Sequence, residues 1–286
     1  MKISLLTDAP KHNLALMKIS AWHKAGGDEV MLNAPIFPAD YTYASILFNK
    51  NLNNFNADEY GGPAMSLSLS DDGPLPPDVE LLKPDYSLFN LNYSLGYTFR
   101  PCQNTCDFCK VPKMNHPDND HHSIYEFHNP KFKTICLLNN NTFHDPQWLE
   151  TFQEIWDAGL SVIDENGYDL RLLDDEKADA LHKTKWASPL HFAWDRMQDE
   201  ALIINGLKLL TKHKMRSTAN GVYVLIGYNT TEKEDLYRCQ IIHDYGLTPY
   251  PMPYVRNDYT KRFKRFINLH YYRKYKTITE AWKNYN

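Results

Sequence analysis

The sequence predicts an α/β protein in which a small βαβ domain is followed by six parallel βα units and a short basic extension. Three observations carry this. From Leu91 onward, short apolar runs rich in β-branched residues alternate with amphipathic helical patterns, the signature of strands joined by crossover helices. The stretch before Leu32 reads strand, helix, strand. A chain of 286 residues with 43% apolar content can bury one large or two modest cores.

The first strand is Ile3–Leu6. A helix from about Asn13 places Leu14, Met17, Ile19 and Trp22 at roughly helical spacing, and Gly26-Gly27 stops it before a strand at Val30–Leu32. Tyr43–Phe48 is a third strand candidate. From Asn49 to Pro84 the chain is rich in Asn, Asp, Gly and Pro, which predicts surface loops and short helices. The first domain is therefore drawn over residues 1–88.

Residues 89–255 form the second. Leu91–Leu95 and Thr134–Leu138 are its first two strands. Asp145 and Pro146 suit the N-cap and first position of a helix that buries Trp148, Leu149, Phe152, Ile155 and Trp156 and ends at Gly159. Leu160–Ile163 is the third strand, and Asp174 or Asp175 caps a helix through Lys183. Pro189–Trp194 is the fourth, followed by a helix over Gln198–His213. Gly221–Ile226 is the fifth and most β-branched. Thr231 and Glu234 form a capping-box pattern for a helix closed by Gly246, and the prolines of Leu247–Tyr250 make the sixth strand the weakest.

The net charge of −4 is uneven. Residues 256–286 carry nine Lys/Arg against two Asp/Glu, leaving about −11 on the rest. Two readings of Lys261–Phe266 and His270–Lys276 stand side by side. Interleaved basic and aromatic residues suit a nucleic-acid groove; the same stretch suits an amphipathic helix that buries Phe263, Phe266, Ile267 and Tyr271. No apolar run approaches the ~20 residues that span a bilayer, and the opening residues are charged too early for a secretory signal. No membrane association and a cytoplasmic location are expected.

Three of the five cysteines, Cys102, Cys106 and Cys109, fall within one short segment. An odd, clustered set is not a disulfide framework. Cys136 and Cys239 lie in apolar runs and read as small buried hydrophobes. The C-x3-C-x2-C spacing brings three thiolates around one centre, and soft thiolates select iron–sulfur clusters, zinc or copper(I). Three protein ligands leave one position open, which in metal sites goes with chemistry. A zinc ion closed by His116, His121, His122 or His128 is the structural alternative.

With Phe108 at the aromatic position of C-x3-C-x-aromatic-C, just after a predicted strand, the segment resembles the signature of radical S-adenosylmethionine (SAM) enzymes. The resemblance implies a partial (β/α)6 barrel over most of Leu91–Val255. It also implies a [4Fe–4S] cluster on Cys102, Cys106 and Cys109, with the amino and carboxylate groups of SAM on the fourth iron. Reductive cleavage of SAM to methionine and a 5′-deoxyadenosyl radical would draw its electron from a donor such as a flavodoxin or ferredoxin. The wording of Leu14–Asp28 resembles the Rossmann-like, cobalamin-binding-type domain that precedes such barrels. The cobalt-ligating D-x-H-x-x-G element is absent from Asp8–Asn13, so a likeness of fold without cobalamin is expected.

In βα barrels the working residues follow the strands. After the second come Asn139, Asn140 and Asn141, where the family has a Gly-Gly-Glu-like element for the SAM amino group; an amide oxygen accepts the same hydrogen bond without charge assistance, unless this is simply an Asn-rich turn. After the third come Asn166, Asp169 and Arg171. Arg171 is the candidate for the SAM carboxylate, and Asn166 and Asp169 for ribose or substrate, with an internal Asp169–Arg171 pair as the competing reading. After the fourth, Asp195 is a candidate ribose ligand or a rim partner of Arg196. After the fifth, Ile226 and Gly227 resemble loosely the G-x-I-x-G-x-x-E element that packs on adenine, with Phe108 as the other adenine neighbour. The expected function is hydrogen abstraction from a substrate left open among small molecules, peptides and nucleic acids. The alternatives are a non-catalytic zinc-stabilised nucleic-acid-binding module and a barrel that binds SAM without turning it over.

Overall fold

The computed structural model describes residues 1–34, 36–65, 75–113 and 119–285. The protein is mixed α/β, and the strand pairings within each of its two compact units are parallel. Unit 1 comprises Met1–Cys102 and Lys110–Asn139, and unit 2 comprises Gln103–Cys109 and Asn140–Asn286. The division passes through the cysteine segment, so Cys102 belongs to unit 1, and Cys106 and Cys109 to unit 2.

Unit 1 opens with β1 (Lys2–Thr7), α1 (Leu14–Ala25), β2 (Glu29–Leu32), β3 (Tyr41–Ser45) and β4 (Glu59–Gly61), in sheet order β2-β1-β3-β4. Asn13 caps α1 by accepting the Leu16 N–H at 3.1 Å, and Leu14, Leu16 and Met17 bury the face turned to the core. β3 stops before the expected Phe48 because the Asp8 carboxylate accepts the N–H groups of Leu47 at 2.7 Å and Phe48 at 3.0 Å, drawing those amides out of the ladder. β4 lies in the polar Asn49–Pro84 stretch, part of which falls outside the described residues; three residues are too few for an alternation to be read. A short helix, α2 (Pro77–Glu80), follows, and its Glu80 carboxylate takes both Lys18 at 2.8 Å and Arg100. β5 (Ser94–Gly96) pairs with β6 (Thr134–Leu137), Leu95 facing Cys136.

Unit 2 contains α3 (Trp148–Asp157), β7 (Ser161–Asp164), α4 (Asp175–Lys183), β8 (His191–Trp194), α5 (Glu200–Lys212), β9 (Gly221–Ile226), α6 (Glu232–Asp244), β10 (Thr248–Pro253), α7 (Asp258–Asn268) and α8 (Ile278–Lys283). α3 begins later than Asp145 and Pro146 suggest, since the Asp145 side chain accepts the Gln147 N–H at 2.9 Å and forms a turn before the helix. Asp174 caps α4, and Thr231 with Glu234 forms a capping box on α6. β9 is central, between β8 and β10. The prolines of β10 do not break it. Its ladder is entered at even positions, the Thr248 N–H going to Asn220 O at 3.0 Å and the Tyr254 N–H to Ile226 O at 2.9 Å, so Pro249, Pro251 and Pro253 turn their missing donors to the outer edge.

Phe192, Trp194, Val222, Val224 and Ile226 bury one face of this sheet in a core shared with Ile203, Leu207, Leu236 and Ile242. The C-terminal stretch joins that core. Phe263, Phe266 and Ile267 are fully buried, as are Tyr272 and Ile278, while Tyr271 is only half-buried. The charges of the stretch are used locally: Arg262 lies 4.6 Å from the centre of the Trp282 ring, and Lys264 5.3 Å from that of Tyr250. The docked helix is thus the arrangement adopted. No described helix is long and apolar enough to cross a membrane.

Truncating Phe266 to Ala should cost about 3–5 kcal/mol, whereas Arg265→Ala, on the exposed side of α7, should stay within about 0.5 kcal/mol. Chemical denaturation of both variants checks this. Equal destabilisation would show that α7 is held by its charges rather than by its rings.

Candidate functional site

Parallel sheets place ligands beyond the carboxyl ends of their strands. In unit 2 those ends are Asp164, Trp194, Ile226 and Pro253, and the cysteine-bearing segment is fastened to the loops that follow them. Asn104 donates from Nδ2 to Asp169 Oδ2 at 3.2 Å, beyond β7. Phe108 meets Tyr228, beyond β9, edge to face with ring centres 5.6 Å apart, and Tyr228 meets Tyr254, beyond β10, at 4.7 Å. The Cys109 N–H bonds Cys106 O at 2.9 Å, closing a turn that carries two half-buried free thiols. Burial pushes the Cys106 thiol up, and the nearby charges of Arg171 and Arg196 oppose this.

The charged groups form a chain. Asp169 caps the short turn Leu170–Leu172 through the Arg171 N–H at 3.1 Å and grips the same residue's guanidinium through Nε at 2.8 Å and an Nη at 2.7 Å. Burial raises the Asp169 carboxyl, but the bonds and charge of Arg171 outweigh it and hold the group below the ordinary carboxylate range. The other Nη of Arg171 reaches Asp199 at 3.3 Å, and Asp199 also accepts Arg196 at 3.0 and 3.2 Å.

Asp195 stands apart. Its carboxylate has no hydrogen-bond partner among the described residues, and burial pushes it up to about 6 against the opposing charges of Arg238, Arg171 and Arg196. Such a group destabilises the fold at neutral pH and is a mark of a functional position.

Beneath these loops lies a residue that sequence reasoning missed. Arg238, fully buried on α6, donates to Trp194 O at 2.8 Å, Asp195 O at 3.2 Å and Leu225 O at 2.8 Å, and pairs with Asp235 at 2.6 Å. Asp235 in turn accepts Thr230 at 2.8 Å and Tyr259 of α7 at 2.7 Å. In sequence the two look like an ordinary i,i+3 surface pair. Their one signal is position: they share a helix face with Leu236, Cys239 and Ile242, which are buried.

The other anticipated residues are distributed unevenly. Asn139 is buried in unit 1, its Oδ1 accepting the N–H groups of Thr98 at 2.9 Å and Phe99 at 3.1 Å and its Nδ2 donating to Thr98 Oγ1 at 2.9 Å. It fixes the chain that leads to Cys102, and this corrects its expected role as an open acceptor. Asn140 is half-buried. Asn141 donates from Nδ2 to Asp169 at 3.2 Å, and its buried Oδ1 has no hydrogen-bond partner among the described residues. Asn166 is exposed in the loop after β7. Arg171 is engaged by Asp169 and Asp199, which is the internal pair rather than an open fork. Ile226 has no open face, being fully buried in the core, and Gly227 is there for its backbone: φ is +74°, and an added Cβ would lie 2.9 Å from Thr260 Cγ2. Tyr228 is the side chain that meets Phe108 instead. Of the histidines, His122 bonds Glu126 at 3.0 Å and His128 lies 3.1 Å from Ser94 Oγ, while His116 falls outside the described residues. Cys136 and Cys239 are buried.

The site thus holds two thiols, a soft donor type, on one turn, with the charges of Arg171 and Arg196 acting on Cys106 and the buried Asn141 Oδ1 without a hydrogen-bond partner among the described residues.

Asp195→Asn should stabilise the protein at neutral pH by up to about 2 kcal/mol. With its carboxyl raised when folded, the native Asp costs nothing below about pH 4, and the penalty grows as pH rises through about 6. The gain in thermal midpoint should therefore be absent in acid and full above neutrality; a gain independent of pH would assign the effect to packing.

No family model, curated protein or solved structure matches the chain.

Proposed function

We propose that the protein is a radical SAM-type enzyme, with unit 2 supplying part of a partial (β/α)6 barrel. The observation that carries this reading is the placement of the C-x3-C-x-aromatic-C segment. Its Cys106, Phe108 and Cys109 belong to the loop that lies over the carboxyl ends of parallel strands, where α/β sheets bind ligands.

Cys102, Cys106 and Cys109 would hold a [4Fe–4S] cluster. When bound, that group supplies the electron that cleaves SAM to methionine and a 5′-deoxyadenosyl radical, and the radical removes a hydrogen atom from substrate. The chain's own residues orient and enclose. Asn141, with its unpaired Oδ1, is the acceptor for the SAM ammonium. Arg196, whose side chain is 35% exposed and among the described residues bonds only Asp199, is a better-placed donor for the SAM carboxylate than the engaged Arg171. Asp195, a ribose candidate in the sequence, is left as an acceptor for the substrate. The Phe108–Tyr228 pair offers an aromatic wall for adenine, the part first given to Ile226. The electron donor is a flavodoxin or ferredoxin.

Anaerobic reconstitution followed by reduction should give a protein with iron and equimolar sulfide that converts SAM to 5′-deoxyadenosine. One zinc without sulfide, or a cluster that leaves SAM intact, would sink the reading. Cys106→Ala should abolish the cluster, since three thiolates leave no spare ligand, while Cys239→Ala should retain it.

Arg196→Ala should keep normal iron content and weaken SAM binding by about 1.5–3 kcal/mol, the usual worth of hydrogen bonds to a charged group. Unchanged affinity in equilibrium dialysis would return Arg196 to a rim role.

A further inference from the structure

We propose that the open face of the β8-β9-β10 sheet is the floor on which the substrate lies, and that this substrate carries a flat heteroaromatic ring with an amino donor at its edge. The inference rests on the radical SAM reading for the reaction, but its observations are separate from the cysteine segment.

The register sorts the sheet into two faces. Phe192, Val222 and Pro249 lie in one row and Trp194, Val224 and Pro251 in the next, all buried. The alternate positions form the other face: Ala193, Tyr223 and Tyr250 are in register, with His191 below them and Leu225 and Met252 above. Parallel sheets are ordinarily covered on both faces. Here Tyr250 and Met252 remain 39% and 41% exposed, and His191, Ala193 and Tyr223 are half-buried.

This face is not simply an apolar surface awaiting cover. His191 and Tyr223 stack with ring centres 5.1 Å apart and an angle of 6°, and Tyr250 stands edge-on to Tyr223 at 5.6 Å. The stack depends on Gly221, where an added Cβ would lie 3.3 Å from His191 Cδ2. The two tyrosines each have a polar tip left unused. The hydroxyls of Tyr223 and Tyr250 have no hydrogen-bond partner among the described residues. The buried Nδ1 of His191 lies 3.4 Å from Asp164 Oδ2 without a hydrogen bond. Asp195 follows β8 directly, and its carboxylate has no hydrogen-bond partner among the described residues. Partly exposed tyrosine rings with free hydroxyls, followed by an acceptor, complement a planar ring with hydrogen-bonding edges. The face runs up the strands toward Tyr228 and Tyr254, against which Phe108 of the cysteine loop is packed, so a ring laid on it points toward the proposed reaction centre.

The test is equilibrium dialysis of the full chain, cluster reconstituted and SAM saturating, against guanosine, cytidine and pterin, with uridine as the comparator lacking an amino group. At least one amino-bearing probe should be retained without being displaced by SAM. Tyr223→Leu and Tyr250→Ala should each weaken it by about tenfold, the loss expected of one stacking contact. Asp195→Asn should reduce its preference over uridine. Iron content must match the wild type in all three variants, and thermal midpoints in the two tyrosine variants, while Tyr223→Phe should retain stacking. Retention of none of the probes, displacement by SAM, or unaltered binding in both folded tyrosine variants would overturn the proposal. Failure to form a cluster or cleave SAM, with a probe still held by Tyr223 and Tyr250, would instead refute the radical SAM reading and leave the binding face standing.

Discussion

The interaction on which unit 2 depends is the buried guanidinium of Arg238. Strand ends are where a parallel sheet runs out of ladder partners, and an unpaired carbonyl there costs about as much as a lost hydrogen bond. Arg238 answers three such carbonyls on two strands at once, and Asp235 neutralises its charge. A lysine has no planar fork with which to do this. The pair is expensive to bury and costly to break, so its worth lies in fixing one geometry for the ends of β8 and β9. Because Tyr259 completes the coordination of Asp235, the C-terminal stretch belongs to the same polar network as the strand ends.

Above that support, the loop charges fall into two kinds. Asp169, Arg171, Asp199 and Arg196 satisfy one another, and this network holds Asn104 and Asn141 in place. Asp195 is left unsatisfied. A carboxyl raised by burial toward neutrality lowers stability wherever it ionises, and a fold bears that cost most readily where a ligand offsets it. The unpaired Oδ1 of Asn141 follows the same logic.

The basic, aromatic composition of the C-terminal stretch has a structural explanation. Its rings fill the core of unit 2, and several of its cations lie over ring faces, with Arg262 over Trp282 and Tyr285 and Lys274 over Tyr271. The composition that would suit stacking on bases arises here from a helix that buries one side and solvates the other.

What the sequence alone determined is what local chemistry encodes. The strands and helices after Leu91 are set by apolar periodicity, helix starts by Asp174 and Thr231 and, earlier in the chain, by Asn13, and the candidate metal ligands by the spacing of three cysteines. Even the prolines of β10 follow a local rule once the strand is known to lie at an edge. The tertiary structure decided the partners. Nothing in the run Asn139–Asn141 tells which amide is consumed by Thr98 and Phe99 and which keeps a free oxygen; nothing near Arg171 says that Asp169 will fill its fork; and the role of Arg238 depends on carbonyls from strands far away in sequence. The open aromatic face likewise exists only because register sets Tyr223 beside Tyr250 and stacks His191 on it. Periodicity fixes which side of an element is buried, whereas hydrogen-bond partners and exposed faces are fixed by which elements meet, and only the folded chain specifies that.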